Sequence, residues 1–89
     1  MEYDARIFDT QGGYSLVKWE GRKFPGLLVQ GDTLWTVMET LNEAASSVEE
    51  GNLDDVEAAI QEAREALQSM LESYEYMMSA AGLKLPYFK

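Results

Sequence analysis

Apolar residues recur at two different spacings along this chain, and the spacing divides it into two kinds of element. Leu53, Val56, Ile60, Ala63, Leu67, Met70, Tyr74, Met77 and Ala81 step by three and four without a break. That spacing predicts one long helix with a coiled-coil-like seam. A stripe of small residues, Ala59, Ala66, Ser73 and Ala80, runs beside the seam, and a polar stripe, Asp54, Gln61, Gln68 and Glu75, runs along its other flank. Small side chains let a second helix approach closely on their flank. Gly82 ends the pattern, and Leu83 can fold back over it in a Schellman motif. Leu34, Met38, Leu41, Ala45 and Val48 show the same spacing. They predict a helix over 32–50, opened by Asp32 as N-cap and closed by Gly51. Asn52 then caps the second helix at once. A connection this short makes the two helices antiparallel neighbours.

The first third alternates instead. Tyr3 to Thr10 and Tyr14 to Glu20 predict a hairpin around a three-residue connection, Gln11-Gly12-Gly13. Tyr3, Ala5 and Ile7 share one face, and Asp4 and Arg6 take the other. Leu16 and Val17 are adjacent and break the alternation, which leaves the register open. Leu27 to Val29 reads as a short third strand after a Pro25-Gly26 bend. The expected fold is α+β: a small N-terminal antiparallel β-sheet packed on a long antiparallel helical hairpin. All of it forms one domain over residues 1–89, with a β region at 1–30, helices at 32–50 and 53–81, and a tail at 82–89. Helix 53–81 would span roughly 43 Å and helix 33–50 roughly 27 Å. The end of the longer helix, with Tyr74, Met77, Met78 and Ala81, must therefore meet the sheet, the tail or another chain. Cover by the sheet is the simpler arrangement, and a homodimer through the same seam is the other.

Charge sharpens the picture. The net charge is -9, with 16 acids against 7 bases. Residues 1–30 balance, because Glu2, Asp4, Asp9 and Glu20 face Arg6, Lys18, Arg22 and Lys23. Residues 31–80 set twelve acids against Arg64 alone. Phosphate contacts need Lys and Arg, so direct nucleic-acid binding by the helical half is not expected. A basic protein surface suits it better, with Glu49, Glu50, Asp54, Asp55, Glu62 and Glu65 as candidate contacts. The same acids would also keep a small protein soluble. No apolar run approaches the ~20 residues that span a bilayer, and Met1-Glu2-Tyr3-Asp4 lacks a signal pattern. No membrane association and a cytoplasmic location are the expectation.

Catalysis has few candidates. With no His and no Cys in 89 residues, imidazole bases, thiolate nucleophiles and Cys/His zinc sites are excluded. The glycines match no phosphate-binding fingerprint. The run from Glu49 to Asp55 lacks the alternating oxygen ligands of a calcium loop. No enzyme activity, cofactor or metal is expected.

The segment Arg22-Lys23-Phe24-Pro25-Gly26-Leu27-Leu28-Val29-Gln30-Gly31-Asp32 places two cations beside a turn. Arg22 and Lys23 could grip a partner's anionic group, with Trp19 or Phe24 giving apolar contact, or they could pair with acids of their own chain. Tyr76, Tyr87 and Phe88 are candidate exposed anchors, since aromatics are enriched at interfaces. The box R-[KR]-F-P-G, an apolar triplet and Q-G-D-x-L resembles the signature of a family of short bacterial proteins of unknown function. Arg22, Phe24, Pro25, Gly26, Gln30, Gly31, Asp32 and Leu34 carry the resemblance, with Leu85-Pro86-Tyr87 at the end. It implies a strand pair before the box, two helices after it, and a bacterial or phage origin. The function expected from the residues is occlusion of a basic partner surface, as in immunity proteins or phage-encoded inhibitors. The alternative is a structural or regulatory homodimer holding a small anionic ligand near Arg22, Gln30 and Asp32.

Overall fold

The computed structural model describes residues 4–89, so the expectations for Tyr3 and for the first residues of the chain lie outside it. Three strands come first: β1 (Ala5–Gln11), β2 (Tyr14–Trp19) and β3 (Gly26–Leu28). Two helices follow: α1 (Gly31–Glu50) and α2 (Leu53–Ala80). The class is α+β, as expected. The strands form one antiparallel sheet in the order β1-β2-β3. The hairpin turn is two residues, Gly12 and Gly13, with φ of 61° and 85°, not the three expected. Two successive left-handed residues match the strand twist, and glycine adopts that conformation without steric cost.

Register explains why β2 does not alternate cleanly. Ile7 pairs with Val17, but Asp9 pairs with Leu16, so Phe8 is a bulged extra residue. β3 starts one residue earlier than the sequence suggests and sets Leu27 against Leu16 and Gly26 against Val17.

Two compact units result, residues 1–29 with 70–89, and residues 30–69. α2 runs through both.

In the sheet unit, Leu16, Tyr74, Met77 and Met78 form the buried core, with Phe8, Tyr14, Leu27 and Leu85 packed against it. The end of α2 is thus covered by the sheet and the tail of its own chain. Tyr74 Oη donates to the carbonyl of Pro25 at 2.7 Å, which ties the turn before β3 to the helix and satisfies a buried hydroxyl. Burial pushes the Tyr74 phenol above its usual range.

The helical unit departs from the expected packing. Its buried residues are Val37, Thr40 and Ala44 on α1 and Ala59 and Ala63 on α2. The regularly spaced apolar stripe of α1, Leu34, Met38, Leu41 and Val48, is exposed. So are Leu53, Ile60 and Leu67 on the α2 seam. The buried positions of this unit are mostly small side chains, and the larger apolar ones stay outside. The small stripe beside the α2 seam supplies Ala59 to this contact, as its size suggested. Buried Thr40 donates its hydroxyl to the carbonyl of Thr36 at 3.0 Å.

The helix ends follow local chemistry closely. Gly51 adopts φ 73° at the end of α1, and its amide and that of Asn52 close onto the carbonyls of Val48 and Ser47. Asn52 accepts from the amide of Asp55 at 3.2 Å, while its own amide donates to the Asp55 carboxylate at 2.7 Å. This reciprocal pair satisfies an orphan amide and sets an acid in the first turn of α2. Gly82 has φ 72°, and Leu83 donates to Met78 at 2.9 Å in the expected Schellman closure. Asp32 is not the α1 N-cap. That position falls to Gln30, which makes no side-chain cap bond. Asp32 lies in the first turn, where its carboxylate accepts from the amide of Thr33 at 2.9 Å. Gly31 does not take a left-handed φ.

Candidate functional site

The 22–26 box is held together by packing between rings, cations and a bare backbone. Arg22 donates its amide to the Trp19 carbonyl at 3.3 Å, closing a turn in which Gly21 has φ 87°. Its guanidinium lies 5.8 Å from the centre of the Trp19 ring. Lys23 lies 5.4 Å from the Phe24 ring centre. Both distances suit cation–π attraction. Gly26 is needed for proximity rather than for an unusual φ, because a Cβ there would meet the Trp19 ring at 3.0 and 3.1 Å. Gly26→Ala is therefore expected to displace Trp19 and cost about 1–3 kcal/mol. Denaturation followed by Trp fluorescence measures it, and an unchanged midpoint and spectrum would contradict this role for Gly26.

Among the described residues, then, Arg22 and Lys23 meet rings rather than carboxylates. Nearby, Arg6 sits directly opposite Lys18 across β1 and β2 and 4.7 Å from the centre of the Phe8 ring. With Trp19 and Glu20 these residues line a hollow of about 250 Å³.

The tail is clasped to α2. Tyr87 donates its hydroxyl to Glu75 Oε2 at 2.9 Å, and Lys89 Nζ meets Glu75 Oε1 at 3.0 Å. Those two hydrogen bonds, Lys89 first, hold the Glu75 carboxyl below its usual range. Burial, then the bond to Glu75, pushes the Tyr87 phenol up to about 12 from 10.0. The raised phenol stabilises the fold fully below pH 10, and that contribution is lost as pH rises through about 12. The lowered Glu75 contributes above its unfolded value of 4.5, and its share is lost as pH falls below that. The phenolate absorbance that disappears in Tyr87→Phe should titrate near pH 12, and Glu75→Gln should move it toward 10.0. A Tyr87 titration insensitive to Glu75→Gln would contradict the clasp. Of the expected anchors, Tyr76, Tyr87 and Phe88 are all exposed, but the Tyr87 hydroxyl is engaged with its own chain.

A further concave feature lies in the helical unit. Glu39, Glu43, Glu50, Asp55 and Glu62 line a groove of about 530 Å³, together with Asn42, Ser46, Ser47, Ala58 and Ala59. Glu39, Glu43, Ser46 and Glu50 recur at helical spacing on α1, so one side of that helix is continuously polar. Of the acids expected from the sequence, Glu50, Asp55 and Glu62 line the groove; Glu49, Asp54 and Glu65 do not. Glu65 accepts from Gln61 at 3.1 Å. Glu39 and Glu43 were missed, although their spacing from Glu50 was a readable signal. Among the described residues no group of three or more acids is arranged to hold a metal ion. No helix among them is long and apolar enough to cross a membrane.

The distribution of charge follows the two units. Residues 30–69 hold ten acids and only Arg64, while residues 1–29 and 70–89 hold six acids and six bases. The whole net charge of -9 belongs to the helical unit.

Comparison with known families agrees with the extent of this architecture. The model of a family of unknown function (DUF6959) matches residues 1–87. The chain belongs to that family. No curated protein and no solved structure matches it. The DUF6959 match takes in the sheet, both helices and the Pro86-Tyr87 tail.

Proposed function

We propose that this DUF6959 protein is a small acidic interaction module that covers a basic surface of a partner protein. The observation that carries this reading is the groove between α1 and the start of α2. Five carboxylates line it, in the unit that holds the whole net negative charge. Such a surface attracts clustered Lys and Arg over a distance comparable with the Debye length. Toxins that act on nucleic acid and defence complexes that bind it carry basic surfaces of this kind. An immunity protein, or a phage-encoded inhibitor with helix carboxylates imitating a row of phosphates, would use this geometry in the cytoplasm of a bacterium. The protein then acts by occlusion, with no chemical step.

A small anionic ligand near Arg22, Gln30 and Asp32 has less support. The Asp32 carboxylate is engaged with the Thr33 amide, and Arg22 lies on Trp19.

Capture from a lysate of the source organism at low and high salt tests the occlusion reading. The expected result is a basic protein whose affinity falls at least about tenfold between the two conditions. A partner that is acidic, or held equally well in high salt, would contradict it.

A further inference from the structure

We infer that the apolar side of the helical hairpin is the docking surface for a second copy of this chain. At 100° per residue, Leu34, Met38, Leu41 and Val48 lie about 90° round α1 from its buried residues, and the carboxylate groove lies on the opposite side. Leu53, Ile60 and Leu67 stand in the same relation to the buried residues of α2, so antiparallel packing brings both stripes to one face. Their exposure runs from 43% at Leu41 to 75% at Leu53.

Three observations select a second copy as the occupant. The seven side chains leave open on the order of 700 Å², close to the roughly 800 Å² per partner of a standard interface. Leu34, Met38, Leu41, Ala45 and Val48 keep a four-three alternation over the length of α1, the spacing by which helices interdigitate. The face is also nearly free of acids: of ten in residues 30–69, only Glu49 and Glu57 border it, so a basic partner has little to hold there. A two-fold axis lying in the plane of the face and parallel to the helices lays one hairpin on the other, tip on tip, and sets α2 over α1 of the second copy. The grooves remain outside, one on each side of a four-helix assembly. The inference does not depend on the occlusion reading, since it concerns the opposite face.

Sedimentation velocity of the full chain from micromolar to near-millimolar concentration tests it. The wild type should sediment as a dimer of 10.0 kDa chains. Leu41→Glu with Ile60→Glu should raise the dissociation constant at least about 100-fold, with helical circular dichroism retained. A wild type that stays monomeric throughout would overturn the inference. So would a folded double-Glu variant that dimerises as tightly as wild type.

Discussion

Leu16→Ala is expected to destabilise the protein by about 2–5 kcal/mol, the range for truncating a leucine with no room to collapse. Leu16 is fully buried on β2 against Tyr74, Met77 and Met78 of α2. No other strand residue is buried so completely among those described. In a chain of this size each kcal/mol lowers the thermal midpoint by roughly 4–8 °C, so the midpoint should fall by at least about 8 °C. Tyr76 serves as the control. It is a large side chain on α2 beside the same core, but exposed, and Tyr76→Ala should change stability by no more than about 0.5 kcal/mol. Thermal and chemical denaturation followed by circular dichroism compares the two. Similar losses for both variants would mean that the core is not where Leu16 and the end of α2 place it.

Reversing charge in the groove should have the largest effect on partner binding. Glu43, Glu50 and Glu62 come from both helices and line one concavity. Replacing all three by Lys removes three attractions and installs three repulsions, and the affinity for a basic partner should fall at least about 100-fold. Folding should survive, because none of the three is buried. The matching set Asp9, Glu20 and Glu72, taken from the sheet unit, should leave binding within about threefold after the same reversal, since only long-range charge changes. Isothermal titration with the captured partner separates these outcomes. Equal losses from both sets would assign the effect to net charge rather than to the groove.

Sequence reading was strongest where the physics is local. Gly51, Asn52 and Gly82 mark helix ends through their own backbone preferences or side-chain bonds, and each takes the role its type predicts. The long pattern of α2 likewise located the helix to within a residue. Reading failed where a choice depends on what lies across the contact. On α1 the more apolar stripe, Leu34 to Val48, looks like the core, yet Val37, Thr40 and Ala44 are the buried residues. The buried residues of α2 in this unit, Ala59 and Ala63, are small as well, and they lie far along the chain.

The bulge at Phe8 was hidden for a related reason. Adjacent Leu16 and Val17 signalled an irregularity, but the extra residue sits on the other strand. For the candidate site, composition revealed the acidic helical half but not its geometry. Glu50, Asp55 and Glu62 were named together with Glu49, Asp54 and Glu65, although only the first three line the groove. Arg22 and Lys23 read as grips for a partner's anionic group or as partners of the chain's own acids, because ring contacts at 5.8 and 5.4 Å leave no signature in composition.

The central claim is that the helix carboxylates meet the basic side chains of another protein. Zero-length carbodiimide cross-linking of the captured complex, mapped by mass spectrometry, reads those pairs directly. The predicted result is a set of amide links from partner lysines to Glu39, Glu43, Glu50, Asp55 and Glu62. Links confined to Asp9, Glu20, Glu72 or Glu75 of the sheet unit, with the groove acids unmodified by the partner, would contradict it.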